Sequence, residues 1–169
     1  MSRIIPWNLP SVTGGSIGGY TPAPTPEPPE DKKFFDFTSV DVDYYGTSNT
    51  IVVYFPNTSI NTTSKNLTVS SIIGTLSGVT EINLVGVSSV SILVTASLSD
   101  PYVGGVQDLI LSMDPITKAM TFVSGTIDIK RTSGSASLNN QTLKITEYKC
   151  VVYNGNGEII QEDTIEVSP

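Results

Sequence analysis

The sequence predicts an all-β fold: an antiparallel β-sandwich, immunoglobulin-like or jelly-roll-like, preceded by an extended Gly/Pro-rich N-terminal arm. Three observations carry that reading. Charged residues make up only 15% of the 169-residue chain against 38% hydrophobic, and polarity comes instead from serine, threonine and asparagine, a balance that suits strands better than helices. From Phe34 onward, short runs rich in β-branched residues alternate with turn residues. No window shows a sustained apolar stripe at helical period flanked by capping residues.

The chain divides into three parts. Residues 1–13, opening "MSRIIPWNLP", carry Ile4, Ile5, Trp7, Leu9 and Val12, bulky side chains that are costly to leave in water. Residues 14–33 begin with the flexible "GGSIGG" and continue into "YTPAPTPEPPEDKK". Alternating prolines favour polyproline II at about 3.1 Å per residue, so the prolines of this spacer alone reach roughly 25 Å. Residues 34–169 form the β-domain. Apolar peptide, hinge, stiff spacer and folded domain is the layout of a tether, and Pro6 and Pro10 make the peptide an extended ligand rather than a helix.

Within the domain the expected strands follow in order. "TIVVYF" (50–55) is expected to stop at Pro56-Asn57, and "NLTVSSII" (66–73) ends at Gly74. "EINLVGV" (81–87), "VSILVTASL" (90–98) and "VQDLILSM" (106–113) come next, with at most a single helical turn in 100–108. "DPIT" (114–117) reads as a type I turn before "KAMTFV" (118–123) and "GTIDIKR" (125–131). The long run "QTLKITEYKCVVY" (141–153) changes parity: Leu143, Ile145 and Val151 share one, Tyr148, Cys150 and Val152 the other. A strand covered on both faces, or bulged, satisfies that pattern. "NGNG" (154–157) then predicts a hairpin into "EIIQEDTIEV" (158–167), because Asn and Gly tolerate positive φ.

Several function classes are disfavoured. The net charge is -7 and the nine basic residues are scattered, whereas nucleic acid demands a basic patch. The chain has no histidine and one cysteine, which leaves no intramolecular disulfide, no Cys/His metal cluster and no histidine base for a nucleophile. Cys150, mid-run among apolar neighbours, is expected to be a buried structural thiol. Asp41 and Asp43 fall on one face of a strand and with Asp36 offer oxygens for a weak calcium site; solvated strand-face charge is the reading preferred here. Four N-x-Ser/Thr sequons occur, at Asn57, Asn61, Asn66 and Asn140, where about two or three are expected by chance in so Ser/Thr-rich a chain, and chance is the reading preferred here. No run approaches the roughly 20 apolar residues of a membrane span, and the opening lacks a signal-peptide core, so the expected site of synthesis is a cytoplasm. The reading is therefore not an enzyme, with no catalytic residue, no metal and no cofactor.

An extended N-terminal peptide, a Gly/Pro linker and a Ser/Thr-rich β-domain together resemble the head decoration or head-fibre proteins of tailed bacteriophages. The resemblance lies in the layout of the whole chain. It implies a non-enzymatic virion component whose arm docks on the major capsid protein or another large assembly, with the domain decorating or cementing the surface. The partner-binding residues would be Ile4, Ile5, Trp7, Leu9 and Val12, and a homo-oligomer would fit the role. The alternative is a cell-surface or adhesin-type β-domain that binds a protein or glycan.

Overall fold

A computed structural model of the chain describes residues 33–168. Among these residues are twelve strands: β1 (Phe35–Asp36), β2 (Asp41–Asp43), β3 (Thr50–Ile60), β4 (Lys65–Thr68), β5 (Ser71–Ile73), β6 (Thr75–Ser77), β7 (Thr80–Glu81), β8 (Ser89–Ser97), β9 (Tyr102–Met113), β10 (Met120–Arg131), β11 (Ala136–Tyr153) and β12 (Ile159–Glu166). Every pairing is antiparallel. Eight strands make the main sheet in the order β4-β10-β9-β8-β11-β3-β5, with β12 added to β11; β1-β7 and β2-β6 form two small ribbons.

The all-β, antiparallel expectation holds, but the main sheet is a strongly curled half-barrel rather than a clear sandwich. The cause is topological. Its two outermost strands, β4 and β5, are separated in the chain by Val69 and Ser70 alone. The amide of Val69 donates to the Gly125 carbonyl on β10 (3.0 Å), and that of Ser70 to the Tyr54 carbonyl on β3 (2.7 Å). Consecutive residues thus bond to opposite ends of the strand order, which draws the edges of a twisted sheet together.

The concave face is apolar. Ile51 and Val53 from β3, Ile92 and Val94 from β8, Leu109 and Leu111 from β9, Ile127 and Ile129 from β10, and Leu143 and Ile145 from β11 are almost wholly buried. A sandwich would cover this face with a second large sheet. Here the cover includes the segment 34–42, which places Phe34, Phe35, Phe37, Val40 and Val42 in the same core; the Phe35 and Phe37 rings stand 5.7 Å apart.

Two side chains bind that strap to the sheet. Gln161, the one buried polar residue among those described, lies on β12. Its Oε1 accepts from the amides of Phe34 (2.8 Å) and Phe35 (3.1 Å), while its Nε2 donates to the Phe35 carbonyl (2.8 Å) and to Asp163 Oδ2 (2.7 Å). Both lone-pair directions and both N–H groups of the amide are used. On β11 the Tyr148 hydroxyl accepts from the Val42 amide (3.0 Å) and donates to Asn49 Oδ1 (2.7 Å). Burial pushes its pKa up to about 12, so it stays a neutral donor through the physiological range.

Several strand expectations need correction. β3 does not stop at Pro56-Asn57: the register jumps from Leu138↔Thr58 to Asn140↔Tyr54, so Pro56 sits in a bulge where the ladder asks for no donor. The run 66–73 is two strands, split by the Val69-Ser70 link. The run 81–87 contributes only Glu81, the second residue of β7, and then turns, with Asn83 Oδ1 accepting from the Val85 amide (3.0 Å) and the Val87 amide donating back to the Leu84 carbonyl (3.0 Å). No helical turn forms in 100–108, because β9 is extended from Tyr102 onward and pairs with β10 through Gly104↔Ile129 and Gly105↔Asp128. Gly104 permits this close approach: a Cβ there would lie 2.0 Å from the Asp128 carbonyl oxygen. The two runs 118–123 and 125–131 are one strand, β10, with register shifts on either side of Ser124. The turn at 114–117 is present as expected, with Asp114 Oδ1 accepting from the amides of Ile116 (2.8 Å) and Thr117 (2.9 Å), bonds that also hold its pKa below the usual carboxylate value.

The parity change in 141–153 is a bulge. Register shifts between Ile145 and Glu147 against β8, so Leu143 and Ile145 before it and Tyr148, Cys150 and Val152 after it are all buried in the core. Cys150 is fully buried, and burial, reinforced by the charge of Asp163, pushes its thiol pKa up to about 12. A thiol in that state is unreactive.

Replacing Gln161 tests the clamp. Gln161→Leu keeps the bulk and strands the amide of Phe35 together with its carbonyl. Each buried group left unpaired costs about 1–3 kcal/mol, so the expected loss is roughly 2–4 kcal/mol by chemical denaturation, with Tm lower by roughly 5–15 °C. A change within about 0.5 kcal/mol, the ordinary range for surface substitutions, would show that the strap does not depend on this side chain.

Candidate functional site

Ile4, Ile5, Trp7, Leu9 and Val12, the partner-binding residues expected from the sequence, lie outside the described residues, as do the hinge and the spacer up to Lys32. The folded domain offers two features of its own.

The first is the turn between β2 and β3. Tyr44 and Thr47 exchange backbone hydrogen bonds in both directions (3.2 and 3.0 Å), closing a two-residue loop over Tyr45 and Gly46. Both central residues have positive φ, 48° and 80°, as a type I′ turn requires. Gly46 suits its position; Tyr45 does not, since Asn, Asp or Gly normally stands there and a bulky residue at positive φ is strained. Its neighbours hold it in place. Asp43 Oδ1 accepts from the Gly46 amide (2.6 Å), and the Thr50 hydroxyl donates to the Thr47 carbonyl (2.6 Å). Asp41 accepts from the Ser48 hydroxyl and from the Asn49 amide, each at 2.7 Å, and Asn49 in turn receives the Tyr148 hydroxyl. A series of bonds thus runs from the buried Tyr148 through Asn49 and Asp41 to Ser48, just after the turn. Tyr45 is 85% exposed, and its ring packs on that of Tyr44 with centroids 4.5 Å apart.

The same contacts assign Asp41 and Asp43: they are the caps of this turn. Asp36 lies elsewhere and accepts from the amide (2.9 Å) and hydroxyl (2.7 Å) of Thr38, the bonds that lower its pKa. Among the described residues no cluster of three or more acidic or Cys/His side chains is arranged to hold a metal ion.

The second feature is a shallow groove of about 260 Å³ on the face of the sheet opposite the core. Cross-strand pairing puts its parts in rows: Ile110 opposite Leu93, Leu93 opposite Lys149, and Val151 between Ser91 and Glu162. Tyr153 and Ile159 close one end. The floor is apolar, and Lys149 and Glu162 pair across the rim at 3.1 Å. Sequence pattern had assigned Val151 a face different from that of Cys150; the pairing explains it, since Val151 helps to line this outer groove.

No family model, curated protein or solved structure matches the chain. Neither feature was singled out from the sequence. The signal for the turn was present in "DYYGT", a Gly after an aromatic pair between two β-type runs, while the groove depends on a strand order that no local pattern contains.

Tyr45 gives a direct test of backbone strain. Left-handed backbone at a non-Gly residue costs on the order of 1–2 kcal/mol, and Asn tolerates it far better. Tyr45→Asn is therefore expected to raise stability by roughly 0.5–1.5 kcal/mol in urea unfolding. A loss of stability would mean that the contact between the Tyr44 and Tyr45 rings outweighs the strain.

Proposed function

We propose that this protein is a non-enzymatic structural component of a virus particle, of the type that decorates the heads of tailed bacteriophages. Ile4, Ile5, Trp7, Leu9 and Val12 attach it to the major capsid protein or a comparable large assembly, and the β-domain stands on the surface beyond the spacer. One observation carries this reading above the others: the residues from Phe34 onward build an extensive apolar core, yet a further set of bulky apolar side chains precedes them in the sequence across a glycine-rich stretch and a proline spacer. A use for those side chains outside the domain accounts for both facts. The curled half-barrel fills the place that a sandwich would hold in such a protein, a rigid β-body that needs no disulfide.

A second reading, ligand binding by an adhesin-type domain, is favoured by the Tyr44–Tyr45 turn. A strained backbone that presents an aromatic ring to solvent is a recurrent mark of recognition sites. The two readings are separable because they use different parts of the chain.

Attachment is tested with Trp7→Ala and with a chain lacking residues 1–19, measuring incorporation into purified particles. Trp7 docked in a pocket is worth on the order of 2–4 kcal/mol, so its truncation weakens single-site binding by roughly 30- to 1000-fold. Multiplication around a symmetric shell turns a modest single-site affinity into stable attachment. Both variants are expected to stay folded and to be lost from particles. Full incorporation of the shortened chain would place the interface in the β-domain and leave the arm as a leader.

A further inference from the structure

The hairpin joining β11 to β12 contains the two Asn-Gly pairs of the chain, Asn154-Gly155 and Asn156-Gly157. An Asn-Gly pair is the dipeptide most open to self-modification, since glycine sets no side chain in the way of ring closure. The backbone nitrogen of the glycine, once deprotonated, attacks the side-chain carbonyl carbon of the asparagine. A bond forms from that nitrogen to Cγ, the bond from Cγ to Nδ2 breaks, and ammonia leaves with the proton. Water then opens the resulting succinimide at either carbonyl, giving aspartate or isoaspartate. The net change is asparagine plus water to an acidic residue plus ammonia, and no oxidant or metal takes part.

The fold treats the two pairs differently. The Asn154 side chain is tied at both ends: Oδ1 accepts from the amides of Asn156 (2.9 Å) and Glu158 (3.0 Å), and Nδ2 donates to Glu158 Oε1 (2.9 Å). Its own backbone is tied as well, the amide donating to the Glu158 carbonyl and the carbonyl accepting from Gly157, both at 3.0 Å. Swinging Cγ onto the Gly155 nitrogen requires three side-chain bonds to break together. Asn156 is exposed at the tip, and among the described residues no hydrogen bond holds its side chain. The one bond its reaction must release is that from the Gly157 amide to the Asn154 carbonyl, in a turn whose glycines are exposed and where a Cβ added at Gly155 or Gly157 would meet nothing within 4 Å.

We infer that Asn156 is a site of spontaneous deamidation in the folded protein, and that its twin, Asn154, is protected by the hydrogen bonds through which it builds the turn. The product places a new carboxylate, and in the isoaspartyl form an extra backbone methylene, beside Glu158 at the root of β12. β12 is also the strand that carries Gln161, so an ageing reaction at the tip reaches the element that clamps the strap.

The full-length protein is incubated at mildly alkaline pH and 37 °C in native buffer, and in parallel in denaturant. Samples taken over weeks are digested and mapped by mass spectrometry, with isoaspartyl methyltransferase labelling to mark the isomer. In native buffer the mass gain and the label are expected at Asn156 at least ten times faster than at Asn154; in denaturant the two convert at similar rates. Asn156→Gln abolishes the native signal. Asn154→Gln leaves it in place or hastens it, and the wild-type map decides the matter even if that variant unfolds. Native conversion at Asn154 as fast as at Asn156, or no native conversion over a time in which the denatured chain is fully converted, would overturn the assignment.

Discussion

An apolar concave sheet face has to be covered, and in this molecule the cover is fastened by two side chains rather than by a continuous ladder. Among the described residues the strap 34–42 pairs with other strands only through the short ribbons β1-β7 and β2-β6. Its amides at Phe34, Phe35 and Val42 find their acceptors instead in the Gln161 amide and the Tyr148 hydroxyl. Buried polar groups without partners are costly, so these two residues make it tolerable for backbone to lie on an otherwise hydrocarbon surface. The rings of Phe35 and Phe37 complete a core to which the five central strands of the curled sheet contribute.

The curl itself follows from the short link at Val69-Ser70 and from β11. Eighteen residues long, β11 pairs with β3 over its first half and with both β8 and β12 over its second. Its bulge between Ile145 and Glu147 keeps both halves facing inward. The bond from Tyr148 through Asn49 to Asp41 connects this strand to the turn that presents Tyr45. Core, strap and exposed aromatic turn are therefore joined by the bonds that Tyr148 makes to Val42 and Asn49 and that Asn49 makes to Asp41.

Much of the fold was legible in the sequence because strand formation is written locally. β-type runs bounded by turn residues located the segments that became β8, β11 and β12, and the chemistry of Asp114-Pro115 and of "NGNG" located two hairpin turns. What failed was whatever depends on distant partners. Pro56 reads as a stop, yet a bulge opposite Asn139 absorbs it. The run 66–73 reads as one strand, yet its middle is the joint between two sheet edges. Gln161 looks like a surface residue in "EIIQEDTIEV", and only the arrival of Phe34 and Phe35, more than a hundred residues earlier, makes it the buried hub. The candidate surfaces divide the same way: the apolar arm residues can be read from composition alone, whereas the Tyr44–Tyr45 turn needs its dihedrals and the outer groove needs the strand order.

Native-state hydrogen exchange at individual amides is the most direct test of the clamped strap. The amides of Phe35 and Val42, which donate to side chains, are expected to exchange as slowly as those of Cys150 and Val152 at the sheet centre, through global unfolding alone. Exchange of Phe35 and Val42 at rates close to that of the open hairpin residue Gly155 would contradict the account, because the strap would then be lifting from a sheet that holds its curl without it.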